Sequence, residues 1–125
     1  MKLQKATRIL IVDDHEMLRR GVESIIKRNS LGGVCGEAQN GEEAIRKVQE
    51  LKPDLVILDV SMPVMGGLEA AREIRRIAPS TKIIILTMHN STQIADAVHD
   101  VGADALVVKT EAAANLADVI RDIGC

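Results

Sequence analysis

Leu55, Val56, Ile57 and Leu58 follow one another with no polar residue between them. A strand with one wet face alternates apolar and polar side chains, so an unbroken run asks for a strand covered on both faces. Residues 9–12 and 83–86 read the same way. A chain with such strands must bring helices to both sides of a parallel sheet. The central run stops at a carboxylate, Asp59. Pro63 cannot extend a ladder and Gly66-Gly67 supply permissive backbone, so the chain leaves the sheet just past Asp59 and starts a helix. Asp59 then stands at the carboxyl end of a buried strand, the edge where open parallel sheets bind ligands. On this stretch alone, a turn-capping Asp is an equally good reading.

Helical periodicity fills the intervals between the strands. Over 16–28, Leu18, Val22, Ile25 and Ile26 recur at helical spacing, with Arg19, Arg20, Glu23 and Lys27 on the other face. Residues 29–33 carry turn chemistry, 34–38 form a weaker strand, and a helix over about 42–51 turns Ala44, Ile45 and Val48 inward before Pro53. The spacing predicts a helix over 68–77 that buries Leu68, Ala71, Ile74 and Ile77 or their near neighbours. Ser91 can cap another, carrying Ile94, Ala97, Val98 and Val101 ahead of Gly102. The last strand, 105–108, stops at Lys109. Thr110 can cap a final helix over about 111–123, whose stripe is Leu116, Val119, Ile120 and Ile123. Five strands alternating with five helices through short connections require parallel strands and right-handed crossovers. The expectation is a flavodoxin-like α/β fold. It is a doubly wound (βα)5 sandwich with a five-stranded parallel sheet in the order 2-1-3-4-5, and residues 1–125 form one domain.

Composition narrows the function. Phe, Trp and Tyr are all absent, so Ile, Leu, Val, Met and Ala must fill the core, and nothing can stack on single-stranded bases. A net charge of -2 gives no basic footprint for duplex DNA. Residues 9–12 are too short for a secretory apolar region and longer apolar stretches are interrupted by charge, so the expected location is cytoplasmic, with no membrane contact. Cys35 and Cys125 have neither disulfide-framework nor metal-ligand spacing and read as reduced thiols.

Asp13 and Asp14 follow the first apolar strand, Asp59 the third, Thr87 the fourth and Lys109 the fifth. All lie on one rim of the sheet. In the order 2-1-3-4-5 the first and third strands are neighbours at the switch point, where the three carboxylates converge. Like charges at close range raise one another's pKa, and a hard cation relieves the repulsion. Carboxylates with a backbone carbonyl and water suit Mg²⁺, which commonly completes its shell with phosphate oxygens. Lys109 as a point charge and Thr87 as a hydroxyl donor fit phosphoryl oxygens, and phosphoryl transfer asks for little beyond positioning and charge stabilisation. Each residue has a bland reading alone: Asp14 as a helix cap, Thr87 as a β-former, Lys109 as a solubiliser. Five in order at strand ends favour the functional reading. His15, His89 and His99 lack metal-ligand spacing, and only His89 is expected to border the site.

The chain resembles the receiver domain of bacterial two-component response regulators over essentially its whole length. The resemblance is carried by Ile-Leu-Ile-Val-Asp-Asp-His at 9–15, Leu-Asp-Val-Ser-Met-Pro-Val-Met-Gly-Gly at 58–67, Leu-Thr at 86–87 and Val-Lys at 108–109. It implies a phosphoacceptor signalling domain rather than an enzyme, with Mg²⁺-dependent self-phosphorylation and self-dephosphorylation. Asp59 would take a phosphoryl group from the phosphohistidine of a sensor histidine kinase. Asp14 would bind Mg²⁺ directly and Asp13 mainly through water, with Asp59 and the backbone carbonyl of Ser61 completing the protein ligands. Lys109 would pair with Asp59 and then with its phosphoryl group, and Thr87 would turn inward to that group. Ser61 and His89 hold positions that would tune the phosphate lifetime. The output surface would be the face of the fourth helix, last strand and last helix, with a phosphorylation-dependent homodimer as one consequence.

The Asp-His-Glu opening, the Gly-Glu-Ala around 37, the Gly-Ala-Asp at 102–104 and the Lys-Thr at 109–110 look most like receivers that precede a LuxR-type helix-turn-helix domain. The expectation is therefore a transcription regulator that reaches DNA only through a C-terminal domain absent from this chain, slightly ahead of a natural single-domain receiver. Three positions depart from the family pattern: Leu106 replaces a common aromatic, Thr110 a common Pro, and Gly66 a common acid or amide. Without proline, a cis bond after Lys109 would cost about 2.5 to 4 kcal/mol, so a trans bond is expected. Three rival readings meet obstacles of differing strength. A haloacid-dehalogenase-type phosphatase needs a second acid where Ser61 stands. A dinucleotide module needs a Gly-rich loop where Asp13-Asp14 stand. A phosphorylation-independent scaffold is opposed by the intact acids, Thr87 and Lys109, although Leu106 leaves it open.

Overall fold

A strand that is apolar at every position sends successive side chains to opposite faces, and each face then needs its own cover. In the computed structural model, which describes residues 7–124, both faces are covered. The elements run β1 (Arg8–Val12), α1 (Glu16–Arg28), β2 (Gly33–Ala38), α2 (Gly41–Leu51), β3 (Leu55–Asp59), α3 (Gly67–Ile77), β4 (Lys82–Thr87), α4 (Thr92–Asp100), β5 (Ala105–Val108) and α5 (Ala112–Asp122), with a 3₁₀ turn at Lys109–Glu111. All pairings are parallel and the order is β2-β1-β3-β4-β5, as expected from the sequence. Ile9, Ile11, Ile57, Ile84 and Leu86 face α1 and α5, meeting Val22, Ile26, Leu116 and Ile120. Leu10, Val12, Val56, Leu58, Ile83 and Ile85 face the other helices, meeting Val48, Ala71, Ile74 and Val98. At about 1.5–3 kcal/mol per large side chain buried, these two apolar layers are the main source of stability. No helix among the described residues is long and apolar enough to cross a membrane.

Local chemistry ends the helices much as expected. Asn40 accepts from the Glu43 N–H at 2.8 Å to cap α2, and Ser91 accepts from the Ile94 N–H at 3.2 Å to cap α4. Thr110 does not cap α5. The 3₁₀ turn moves the helix start along the chain, and Glu111 takes the cap position without a side-chain hydrogen bond. Arg19, expected on the solvated face of α1, is buried. Cys35 is half-buried, with burial pushing its thiol pKa up, and Cys125 lies outside the described residues.

The loop from β3 to α3 is the most constrained turn. A Cβ on Gly67 would stand 2.0 Å from the carbonyl oxygen of Asp59, so only glycine lets α3 start directly against the strand end. Nearby, the Met65 N–H donates to the Pro63 carbonyl at 2.8 Å, closing a three-residue turn that holds Val64 at φ 69°. A β-branched residue is strained in that region, and the Val64 side chain is exposed and gains no burial in exchange. Val64→Gly, which meets no steric penalty at positive φ, is expected to stabilise the fold by about 1 kcal/mol, or about 3–6 °C in Tm by circular dichroism. An unchanged or lower Tm would show that Val64 is not strained.

Candidate functional site

Asp13 is held from every side but one. The β1–β2 ladder runs one residue past β1, where the Asp13 N–H donates to the Ala38 carbonyl at 3.0 Å. Its carbonyl accepts from Arg19 Nη1 at 2.6 Å, and its Oδ1 accepts from the His15 N–H at 2.8 Å. Oδ2 is buried and has no hydrogen-bond partner. Lys109 Nζ lies 3.3 Å from that oxygen and 2.9 Å from Oδ1 of Asp59. Asp59 Oδ1 also accepts from the Ser61 N–H at 3.3 Å. The two carboxylates are 1% and 2% exposed, so one ammonium serves two charges that water scarcely reaches.

The electrostatics follow from that arrangement. Burial pushes the Asp59 pKa above the usual carboxylate range; the charge of Asp13 adds to this, and Lys109 and the Ser61 N–H only partly oppose it. Burial alone would lower Lys109. The hydrogen bond and charge of Asp59, with the charge of Asp13, raise it instead, so Lys109 is a full ammonium at neutral pH. On the open side, His15 Nδ1 stands 3.1 Å from Asp14 Oδ1 and 3.3 Å from Asp13 Oδ1. Asp13, Asp14 and His15 thus form a group whose donor atoms fit around one small cation. An unpartnered buried carboxylate oxygen beside a second acid is the donor set a hard divalent ion uses.

An open cleft of about 660 Å³ leads to Asp59, lined by His15, Ser61, Thr87, His89 and Lys109 among others. Thr87 is buried at the end of β4, where its hydroxyl donates to the His89 carbonyl at 3.0 Å and is turned to the loop. A slightly larger cavity, about 730 Å³, opens at the opposite edge among Lys52, Pro79 and Lys82. None of its charged lining residues is buried, so size does not mark the site. The structure joins Asp59, Asp13 and Lys109 by direct contact, Thr87 and Ser61 through the cleft, and Asp14 through His15. His15 therefore borders the site together with His89, a position its spacing did not reveal. Asp14 caps nothing: His15 occupies the α1 cap position. Arg19 went unrecognised because helical periodicity alone places it with the solvated residues.

A parallel sheet whose switch point buries two carboxylates around an ammonium defines a flavodoxin-like domain with an acidic pocket. The chain belongs to the response regulator receiver domain family, whose model matches residues 9–121, and it is a signalling domain. It is 40% identical to the response regulator protein VraR of Staphylococcus aureus, over 91% of this chain and 54% of that protein, and so spans about half the length of such curated relatives. The fold superposes on a LuxR-family two-component response regulator from Aurantimonas with TM-score 0.89 and 36% identity, covering 95% of this chain and 85% of that one. A LuxR-family DNA-binding response regulator from Staphylococcus aureus gives TM-score 0.86 and 31% identity, covering 94% and 98%.

Because the folded-state pKa of Asp59 is raised, the fold holds the proton more tightly than the unfolded chain does. That contribution is full below the unfolded value and is lost as pH rises through the folded value. In metal-free protein, Asp59→Asn is therefore expected to raise Tm at pH 7, with the gain shrinking toward pH 4. An equal gain at both pH values would remove the electrostatic account.

Proposed function

We propose that Asp59 is the phosphoacceptor of a phosphorelay and takes its phosphoryl group from the phosphohistidine of a sensor histidine kinase. The observation that carries this reading is the buried Asp59 carboxylate, 2.9 Å from the Lys109 ammonium and open to a cleft on one side only. A carboxylate oxygen would attack phosphorus in line as the P–N bond breaks, and the histidine nitrogen leaves with the bonding pair. Lys109 would follow the charge from the carboxylate to the phosphoryl oxygens, which needs no new side chain. Asp13, Asp14, Asp59 and the Ser61 carbonyl would hold Mg²⁺, which when bound supplies positive charge for the acids and for the phosphoryl oxygens. Thr87 would release the His89 carbonyl and donate to the phosphoryl group instead.

The rim also suits a protein donor. Met88 lines the cleft and is exposed, and Met17 on α1 and Val64 on the loop after β3 are exposed apolar side chains on elements that leave the same rim of the sheet. The output reading follows the LuxR-family relatives. The phosphorylated domain would signal through the face of α4, β5 and α5, by self-association, to a DNA-binding domain outside this chain, in the cytoplasm. Asp59→Asn and the native protein should be incubated with a small acyl phosphate and Mg²⁺ and weighed intact. One Mg²⁺-dependent phosphoryl adduct on the native protein and none on the variant is the expected result. An adduct that persists in Asp59→Asn would move the acceptor elsewhere.

A further inference from the structure

The buried Arg19 has no part in the chemistry above, yet it touches the site. Its Nε donates to Glu37 Oε1 at 2.6 Å while its Nη1 donates to the Asp13 carbonyl at 2.6 Å. The guanidinium fork thus bridges β2 and the end of β1 in one rigid plane. Its partner is itself held. Arg20 also pairs with the Glu37 carboxylate, and Lys47 donates to the Glu37 carbonyl. Burial would raise the Glu37 pKa, but the hydrogen bonds from Arg20 and Arg19 hold it below the usual range.

The backbone of β2 is shaped for this contact. The register passes from Ile9 opposite Val34 to Leu10 opposite Gly36, which leaves Cys35 as an extra residue, a β-bulge. Val34 packs with the α1-side core and Ala38 with the other one. In a regular strand, Val34 and Glu37 are an odd number of residues apart and point to opposite faces. The bulge reverses that parity and turns Glu37 toward α1, where Arg19 meets it. Bulges re-aim side chains beside functional sites in this way.

We propose that Arg19, braced by Glu37, is a positioning residue for the cation-holding acids. By clamping the Asp13 carbonyl it fixes the peptide plane between Asp13 and Asp14, and with it the directions of both carboxylates. The inference rests on the proposed Mg²⁺ role of those acids. Outer partners of this kind typically change metal affinity about 10–100-fold when removed. Lysine keeps the charge of Arg19 but cannot donate to Glu37 and to the Asp13 carbonyl through one planar fork.

The test is Mg²⁺ titration of this protein, followed by backbone amide NMR shifts at Asp13 and Asp14 and by calorimetry. Arg19→Lys is expected to weaken Mg²⁺ about tenfold or more. Phosphorylation at saturating Mg²⁺ should stay near native, and amide shifts in α3 and β4 should be unmoved. Glu37→Gln, which keeps the Arg19 charge and loosens its brace, should weaken Mg²⁺ by less. Arg20→Ala, which touches Glu37 and not Asp13, should change the affinity less than Glu37→Gln does. Native Mg²⁺ affinity in folded Arg19→Lys, with only a lowered Tm, would reduce Arg19 to a structural ion pair and overturn the proposal. If Arg19→Lys fails to fold, native affinity in Glu37→Gln overturns it equally. A native protein that binds no Mg²⁺ removes the metal reading first, and this inference with it.

Discussion

Two buried carboxylates that share one ammonium are the constraint on which the site depends. Taking charge out of water is costly, and the cost is met only where partners are close and geometry is fixed. Lys109 lies within 3.3 Å of both Asp13 and Asp59, but one positive charge cannot balance two negative ones. The deficit is concentrated on Oδ2 of Asp13, which has no hydrogen bond at all. A pocket in that condition is poised to gain a cation, and the charge imbalance, rather than any single ligand, is what makes it receptive.

The fold supplies the rigidity that such a pocket requires. Asp13, Asp59 and Thr87 each sit at the end of, or directly after, a strand whose apolar side chains are buried on both faces, so none can drift without unpacking the core, and Lys109 follows β5, where Val107 is buried. Aliphatic side chains and alanines alone fill both layers. Small residues such as Ala44, Ala70 and Ala71 bring α2 and α3 close to the sheet, where large rings would push them away. Gly67 performs the same service at the site itself, seating α3 directly on the Asp59 carbonyl.

Strand ends were legible in the sequence because unbroken apolar runs announce where each strand stops, and the first polar residue beyond each run is the site residue. Parallel strands and right-handed crossovers followed from alternating elements and short connections, and 2-1-3-4-5 is a common order for such a sheet. What escaped was whatever depends on tertiary register. Arg19 has the helical phase of a solvated residue and is buried because a strand-borne acid faces it. That acid faces it only because β2 carries an extra residue at Cys35, and nothing in the composition of β2 marks a bulge. His15 joins the acids through a turn closed by Asp13 itself, and Thr110 loses its cap to a 3₁₀ turn; both are set by backbone geometry that side-chain patterning does not encode. Ser91, by contrast, was legible because capping is local.

The contrast between α3 and α4 bears on how a charge at Asp59 could be felt at a distance. Helix α3 buries Gly67, Ala70, Ala71 and Ile74, whereas α4 buries only Val98 within its length. A helix held by one fully buried side chain is cheaper to displace than one held by four, since each apolar contact kept is a contact that must be broken. The loop that leads into α4 is tied to the site by the Thr87 hydroxyl on the His89 carbonyl. On the proposed reading, a phosphoryl group adding roughly -1.5 to -2 charge at Asp59 competes for that hydroxyl. The competition releases the His89 carbonyl, and the strain passes to the least anchored helix in the structure. Leu106 packs as a partly buried apolar side chain in the layer that α4 covers. With no ring at this position to swing, the signal on that reading would travel through the Thr87 loop and the seating of α4, and the weak anchoring of that helix would be part of the switch.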